Sequence, residues 1–488
     1  MTDRGRRWRD LLSPYVHLSS NLLSRIGVIF VTTAFVLWMY LLPTFIRGEI
    51  THPYAGILIF LFLPAAFVIG LILIPAGILL RARRARKRGT YPAGFVPLDF
   101  HNLDFRRLLA FIGIVTIVNV VVGSQLVYSG VNYMDTVTFC GETCHTVMQP
   151  EYTAYLHSPH ARVACVQCHI GPGASWFVRS KLSGLYQVYA VMFNTYPRPI
   201  PSPVTSLRPA RATCEQCHWP ARFEGNRLVV IPRYAEDQAN TLTYDVLLIH
   251  IGGGGGYQGI HGAHVGPGVT IRYGSDATRQ KMYWVDYENS HTGKKALYVA
   301  PGVNPKSVNP RQGRVMDCID CHNRPTHIFY VPGQAINKAM AAGEISPSLP
   351  YVKKEGVALL KQNYSSRARA AQRIPAELAA YYQANYPTVA GQSAADIAAA
   401  GKALVTIYRR NVFPKMRVTW GTYPNDLGHK YFPGCFRCHG TLHNPVVTYE
   451  KIPKHCGMCH TVLAQDEAHP KILDELELTD PSTVSSAP

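Results

Sequence analysis

The chain has 488 residues, of which 49 are lysine or arginine and 30 are acidic, for a formal net charge of +19. That length holds two or three domains, and no recognisable nucleic-acid motif accompanies the basic excess, so no nucleic-acid partner is expected. All twelve cysteines fall in six close pairs, each followed at once by histidine. A disulfide framework would not require those histidines and is set aside.

Residues 1–25 read as a short basic leader with Arg4, Arg6, Arg7, Arg9 and Arg25, and with Trp8 suited to a headgroup region. Three uncharged apolar runs follow, at about 26–46, 54–80 and 108–128. Each is as long as the roughly 20 residues that a membrane-spanning helix needs. Buried core helices would need amphipathic partners around them, which residues 1–128 do not supply. Arg81, Arg83, Arg84, Arg86, Lys87 and Arg88 lie between the second and third runs, and Arg106 and Arg107 precede the third. The short first loop has only Arg47, offset by Glu49. The positive-inside rule then puts the N-terminus and the basic loop in the cytoplasm and everything after Tyr128 outside, with the third span as the exporting anchor. The basic loop can also meet acidic membrane lipid. No histidine lies inside any run, so a b-type haem held between two of them is not expected. The spans read as an anchor that offers a quinone groove or a surface for partner helices.

The six motifs are Cys140-Gly-Glu-Thr-Cys144-His145, Cys165-Val-Gln-Cys168-His169, Cys214-Glu-Gln-Cys217-His218, Cys318-Ile-Asp-Cys321-His322, Cys435-Phe-Arg-Cys438-His439 and Cys456-Gly-Met-Cys459-His460. Five have the C-x-x-C-H spacing that attaches a c-type haem, in which two thiols bond the vinyl groups and the adjacent histidine reaches the iron. A zinc half-site or a redox pair would explain one such motif but not five alike. The first motif carries one extra residue, so the expectation is six haems c, or five if the stretched motif is empty. Beyond residue 128 the chain has 35 basic and 25 acidic residues, an excess of ten. Six haems bring about twelve ionisable propionates, enough to offset it.

Residues 129–225 form a first haem segment. Gly171-Pro172-Gly173 breaks the chain after the second motif, and Trp176–Tyr196 is compatible with a helix, lying on the membrane surface or packed on haem. The proline-rich stretch from Tyr196 to Pro209 reads as extended. Residues 226–310 read as a β insertion, with strands predicted at Leu228–Ile231, Leu242–Ile249, Val269–Tyr273, Lys281–Tyr287 and Ala296–Val299. The five glycines of 252–256 make a flexible connection or a place where backbone approaches a haem. Residues 311–470 hold the last three motifs and a helical stretch predicted at Val352–Tyr364, Pro375–Tyr386 and Ser393–Val412. The end, from Asp466 and chiefly 471–488, reads as a frayed acidic tail. The fold class expected is a membrane-anchored multihaem cytochrome c: three N-terminal transmembrane helices, then a haem-packed, mostly α or irregular periplasmic domain with a β insertion.

A low-spin electron-transfer haem needs a second axial ligand. Eleven histidines outside the motifs compete for those positions in the outer part of the chain. His160 precedes the second motif, His327 follows the fourth, and His443 follows the fifth, each close enough in sequence to serve a neighbouring haem. His261 and His264 share a glycine-rich loop, so one can bind iron while the other hydrogen-bonds a propionate. His429 completes the candidates, and Met148, three residues after His145, offers a thioether to the first haem.

The stretch from Cys140 to His218 carries Cys-His-x-x-Met, then Glu151-Tyr152, Ser158-Pro159-His160 and Val163-x-Cys165-x-x-Cys168-His169. It resembles the NapC/NirT family of membrane-anchored multihaem quinol dehydrogenases, which includes the NrfH type. The resemblance covers roughly residues 108–220. The later motifs, including Met316-Asp317-Cys318-x-x-Cys321-His322-Asn323-Arg324-Pro325, look like those of larger multihaem relatives, so the chain is similar to an enlarged six-motif variant. The family usually has one anchor helix and four haems. The resemblance implies quinol oxidation at the first haem, close to the outer membrane surface, then electron transfer along the chain to a periplasmic cytochrome or reductase. In that family a lysine and an acidic residue on the helix after the second motif sit beside the quinol. Lys181 matches the lysine, and Gln187 or Val188 stands where the acid is expected. Lys181 and Glu142 are the candidate quinol contacts. Two other functions stay open here: an electron-relay subunit of a larger respiratory complex with other membrane subunits, and a multihaem reductase, which would need an open iron position.

Overall fold

The computed structural model describes residues 61–91 and 128–478, except 144, 172, 205–206, 219–224, 253–258 and 447–449, with isolated positions between 18 and 38 and between 121 and 125. It divides into two units, Met1–Cys144 and His145–Pro488.

In the first unit, helix α1 (Leu63–Lys87) has 25 residues, about 37 Å at 1.5 Å per residue. Among the described residues it is the one helix long and apolar enough to cross a membrane. Of the second predicted span, residues 54–60 lie outside the described residues, and the helix continues past Leu80 through the basic cluster. Arg84, Arg86 and Lys87 occupy its last turn, where cations meet the negative end of the helix dipole. The other two predicted spans, 26–46 and 108–128, fall largely outside the described residues. Small side chains set the packing of α1. A Cβ on Gly70 would stand 2.7 Å from the Gly27 carbonyl oxygen, and one on Gly77 2.5 Å from Ser24 Oγ. The Ser24 hydroxyl donates to the Ile74 carbonyl at 2.9 Å. Such close backbone approach is the usual device for joining helices in lipid, where apolar burial gives little drive.

The second unit opens with helices α2 (His145–Leu156) and α3 (Ala174–Met192). Strands β1 (Gly225–Tyr234) and β2 (Leu242–Gly252) form an antiparallel hairpin in which Val230 faces Val246. After the short helix α4 (Gly259–Val265) come β3 (Val269–Ser275), β4 (Met282–Asn289), β5 (Lys295–Val299) and β6 (Arg314–Val315), arranged β5-β4-β3-β6. Each predicted strand matches an observed one with shifts of a few residues. The two sheets are nevertheless not a self-contained insertion. The four-stranded sheet is completed by β6, just before the fourth motif, and the β1-β2 hairpin by β7 (His460–Glu467), which begins on the sixth motif's histidine.

Helices α5 (Pro332–Ala341), α6 (Val352–Lys361), α7 (Arg367–Asn385) and α8 (Ala394–Asn411) enclose the largest core. Ile374, Leu378 and Tyr382 recur every four residues on α7, and with Ile336, Leu360 and Leu404 they are wholly buried. The predicted second helix of this stretch began at Pro375. The observed α7 begins eight residues earlier, at Arg367, because the Ser366 side chain accepts a hydrogen bond from Arg369 N at 3.1 Å and caps it. Pro375 then sits inside the helix, where a Cβ on Gly401 would stand 3.1 Å from its Cα, so α7 and α8 meet closely. The predicted frayed tail is also corrected: Lys471–Glu475 is a helical turn whose Leu473 is buried with Tyr244, Val246 and Ala464. Residues 479–488 lie outside the described ones.

Candidate haem centres

The regular motifs fold as short helical turns. His218, His322 and His439 donate their backbone N–H to the carbonyls of Cys214, Cys318 and Cys435 at 2.8, 2.8 and 3.1 Å. One such turn brings the first cysteine, the second cysteine and the histidine to neighbouring positions, since residues three and four apart share a helix face. The eleven described cysteines are free of disulfide bonds. In the first motif the extra residue is absorbed by a π-helical turn, Phe139–Thr143, whose wider hydrogen-bond ring takes one more residue than an α turn. Glu142 is exposed on that turn. Cys144 and the side chain of His145 lie outside the described residues, and Met148 is half-buried on α2.

Each of the five regular motif histidines is opposed by one histidine from elsewhere in the chain. The ring centroids are 6.3 Å apart for His169 and His327, 6.0 Å for His218 and His160, and 6.2 Å for His322 and His261. They are 5.8 Å apart for His439 and His264, and 6.2 Å for His460 and His429. Two imidazoles that reach one metal from opposite sides, each through a bond of about 2 Å, hold their centroids about 6 Å apart. The spacing fits a pair of imidazoles that would hold one haem iron between them. Of the predicted second ligands, His160, His261, His264, His327 and His429 stand in these pairs. His443 does not: its backbone bridges Val299 and Lys451, and among the described residues its ring meets no motif histidine.

The rings are also held in a usable tautomer. The Nδ1 atoms of His160, His264, His327 and His439 lie 3.3, 2.7, 2.9 and 2.6 Å from the carbonyl oxygens of Pro325, Ile260, Glu151 and Pro453. A carbonyl can only accept, so Nδ1 carries the proton and the Nε2 lone pair is left for a metal. Burial lowers the pKa of His169, His261, His264, His322 and His460 below the ordinary histidine value, which favours the neutral ring that can ligate. By contrast, His250 has both ring nitrogens in hydrogen bonds, to Asn226 at 2.8 Å and Thr461 at 3.1 Å.

The motifs follow one another in space as they do in sequence. Besides burial, which comes first, Cys168 is raised in pKa by Cys214 and Cys217. Cys214 shares a hydrogen bond with Cys318. Burial and then Cys435 push Cys321 up to about 12, and burial and then Cys435 raise Cys459. Asp317 ties the third and fourth motifs together by capping both Cys318 N at 2.7 Å and Arg211 N at 3.1 Å.

Two spacer residues inside the motifs have structural roles that sequence reading missed. Asp320, of the fourth motif, is buried and accepts from Tyr273 Oη at 2.7 Å, Arg314 Nε at 3.0 Å and Arg279 Nη1 at 3.2 Å. Arg437, of the fifth, donates to the Asp320 carbonyl at 2.7 Å and pairs with Asp426 at 2.9 Å.

The two predicted quinol contacts fall in different units, Glu142 in the first and Lys181 on α3 in the second. The helix expected over Trp176–Tyr196 is present as α3. Leu182, Tyr186 and Tyr189, with Phe193 just beyond, form a stripe at three- and four-residue spacing and are 63%, 69%, 54% and 61% exposed.

Residues 104–199 match the NapC/NirT cytochrome c family, N-terminal region. The chain is 41% identical over 451 residues to the cytochrome c-type protein ImcH of Geobacter sulfurreducens, covering 91% of this chain and 88% of that protein. No solved structure matches. The five opposed histidine pairs, the apolar helix α1 and this similarity agree with one another, and the chain belongs to the NapC/NirT family of multihaem, electron-transferring cytochromes c.

Proposed function

We propose that this chain is an inner-membrane quinol dehydrogenase that holds six haems c and passes quinol electrons to a periplasmic redox partner. The observation that carries this reading is the histidine set opposite every regular motif histidine at 5.8–6.3 Å. When bound, haem c supplies one-electron transfer at each centre. The protein supplies everything else: thiols for attachment, two imidazoles for each of five irons, carbonyls that fix the tautomer, and motif turns packed in sequence order from the second to the sixth. With haem bound, the paired imidazoles would hold each of the five irons from both sides, an arrangement that would suit conduction rather than terminal reduction.

The stretched first motif is then where quinol is met, with Met148 as its thioether ligand. A quinol gives up hydroxyl protons as its electrons leave, so its pocket needs a cation to orient the ring oxygen and an acceptor for the proton. Lys181 supplies the first. Gln187 and Val188 cannot supply the second, and Glu142 is the nearest acid in sequence to the stretched motif. The exposed stripe of α3 lies on the membrane surface, with its aromatic rings at headgroup level.

Pyridine haemochrome quantification with intact mass should give six haems per chain. Lys181→Ala should slow haem reduction by a quinol analogue at least tenfold while leaving reduction by dithionite intact. An unchanged quinol rate would remove Lys181 from the site.

A further inference from the structure

The segment from His322 to His327 serves three centres at once. His322 opposes His261, the Pro325 carbonyl accepts from His160, and His327 opposes His169. Within this segment the arrangement at His327 differs from the others in charge. Its Nδ1 lies 2.9 Å from the Glu151 carbonyl oxygen and 3.2 Å from Glu151 Oε2. Arg324 Nη1 donates to both carboxylate oxygens, Oε1 at 3.3 Å and Oε2 at 3.4 Å. The Arg324 guanidinium is buried and lies 4.1 Å from the centre of the Tyr423 ring, so it is fixed in place. The Nδ1 atoms of His160 and His264 bond to carbonyls as that of His327 does, and the carboxylate 3.2 Å from His327 is the added feature.

We propose that Glu151 is a positioning residue that fixes the His327 ring and makes it a stronger electron donor than the other second ligands, so that the centre at Cys165–His169 has a lower reduction potential than its neighbours. The inference rests on His327 being the second ligand of that centre. The Nδ1 proton is donated to the Glu151 carbonyl, and the carboxylate 3.2 Å from the same nitrogen adds a negative charge beside the ring, which moves electron density to Nε2 and would stabilise an oxidised iron over a reduced one. Arg324 has two effects: it holds Glu151 in reach of His327, and it offsets part of the carboxylate's charge. Glu151 stands on α2, six residues after the first motif's histidine. The same helix that leaves the first motif thus sets the character of the next centre.

The test is a redox titration of full-length, haem-loaded protein with electron paramagnetic resonance at each potential. Glu151→Gln keeps the shape and the backbone acceptor but removes the charge. Removing that nearby charge should raise the reduced-to-oxidised ratio of one centre about tenfold at a fixed potential, about 59 mV for a one-electron couple. The same centre should change its g-values while the others keep theirs. Arg324→Gln should shift that centre the opposite way. His327→Ala is the control for ligation and should turn one centre high-spin. If His327→Ala gives a high-spin centre but Glu151→Gln moves neither potential nor g-values, the proposal is wrong and the ligand assignment stands. If His327→Ala changes no centre, both fall.

Discussion

Helix α4 offers the sharpest prediction, because it carries two histidines three residues apart that oppose two different motif histidines: His261 faces His322 at 6.2 Å and His264 faces His439 at 5.8 Å. If each ring saturates one iron, His261→Ala and His264→Ala each free one coordination position and the double variant frees two. Carbon monoxide bound by dithionite-reduced protein should then rise by one per chain for each substitution, about one-sixth of the haem per step. The helix should survive the change. The Arg211 guanidinium still donates to the Val265 carbonyl at 2.7 Å, and loss of the His264 Nδ1 bond to Ile260 removes only about 1 kcal/mol. The assay is a carbon monoxide titration followed in the Soret band. If His264→Ala binds no more carbon monoxide than the parent, His264 is not a ligand, and the alternative in which one of this pair bonds a propionate is restored.

Packing and charge give the remaining predictions. Arg437→Met leaves Asp426 buried beside a lost partner, with both side chains at most 6% exposed, and should destabilise the second unit by about 3–5 kcal/mol at neutral pH in denaturant titration; a loss below about 1 kcal/mol would show that the pair is dispensable. Burial holds the Asp426 pKa above its ordinary 3.8 despite Arg437, so the folded state binds a proton more readily than the unfolded one, and the deficit of the variant should shrink as pH falls toward the carboxylate range. Gly401→Val places side-chain atoms against Pro375, whose Cα is 3.1 Å from where a Cβ at this position would stand, and should cost about 1–3 kcal/mol, read as a lower denaturation midpoint with haem content unchanged.

Much of the fold could be read from local pattern. Val246 and Ala464 are buried in one sheet and Ile271, Tyr273, Met282 and Val285 in the other, and all but one of these lie on runs whose β-prone residues announced strands. The exception is Ala464. Strand β7 buries only this one among its eight residues, so it has no alternation to detect, and its place is set by backbone pairing with β2. The start of α7 was missed for a different reason: Pro375 looks like a first helical residue, while the true cap, Ser366, lies among residues with little apolar periodicity. The pairing of ligands was not legible at all. His327 follows the fourth motif yet opposes the histidine of the second, and His160 precedes the second yet opposes that of the third. Sequence proximity names candidates, but the crossing of segments decides partners. The same holds for Asp320 and Arg437, which a motif defined by cysteine and histidine alone treats as filler.

These crossings have a structural consequence. Each regular centre draws its opposing histidine from outside its own motif turn, so the five turns are knitted together by their own ligands. Loss of one ligand should therefore loosen the contact between two segments as well as open one iron.

Reduction by quinol tests the central claim most directly. Purified full-length protein in lipid nanodiscs, mixed anaerobically with a menaquinol analogue and followed in the haem α-band, should be reduced without any added protein, and Lys181→Ala should slow that reduction. Protein that dithionite reduces but quinol does not, or that quinol reduces only when a co-purifying membrane subunit is present, would contradict the account and make this chain a relay within a larger complex.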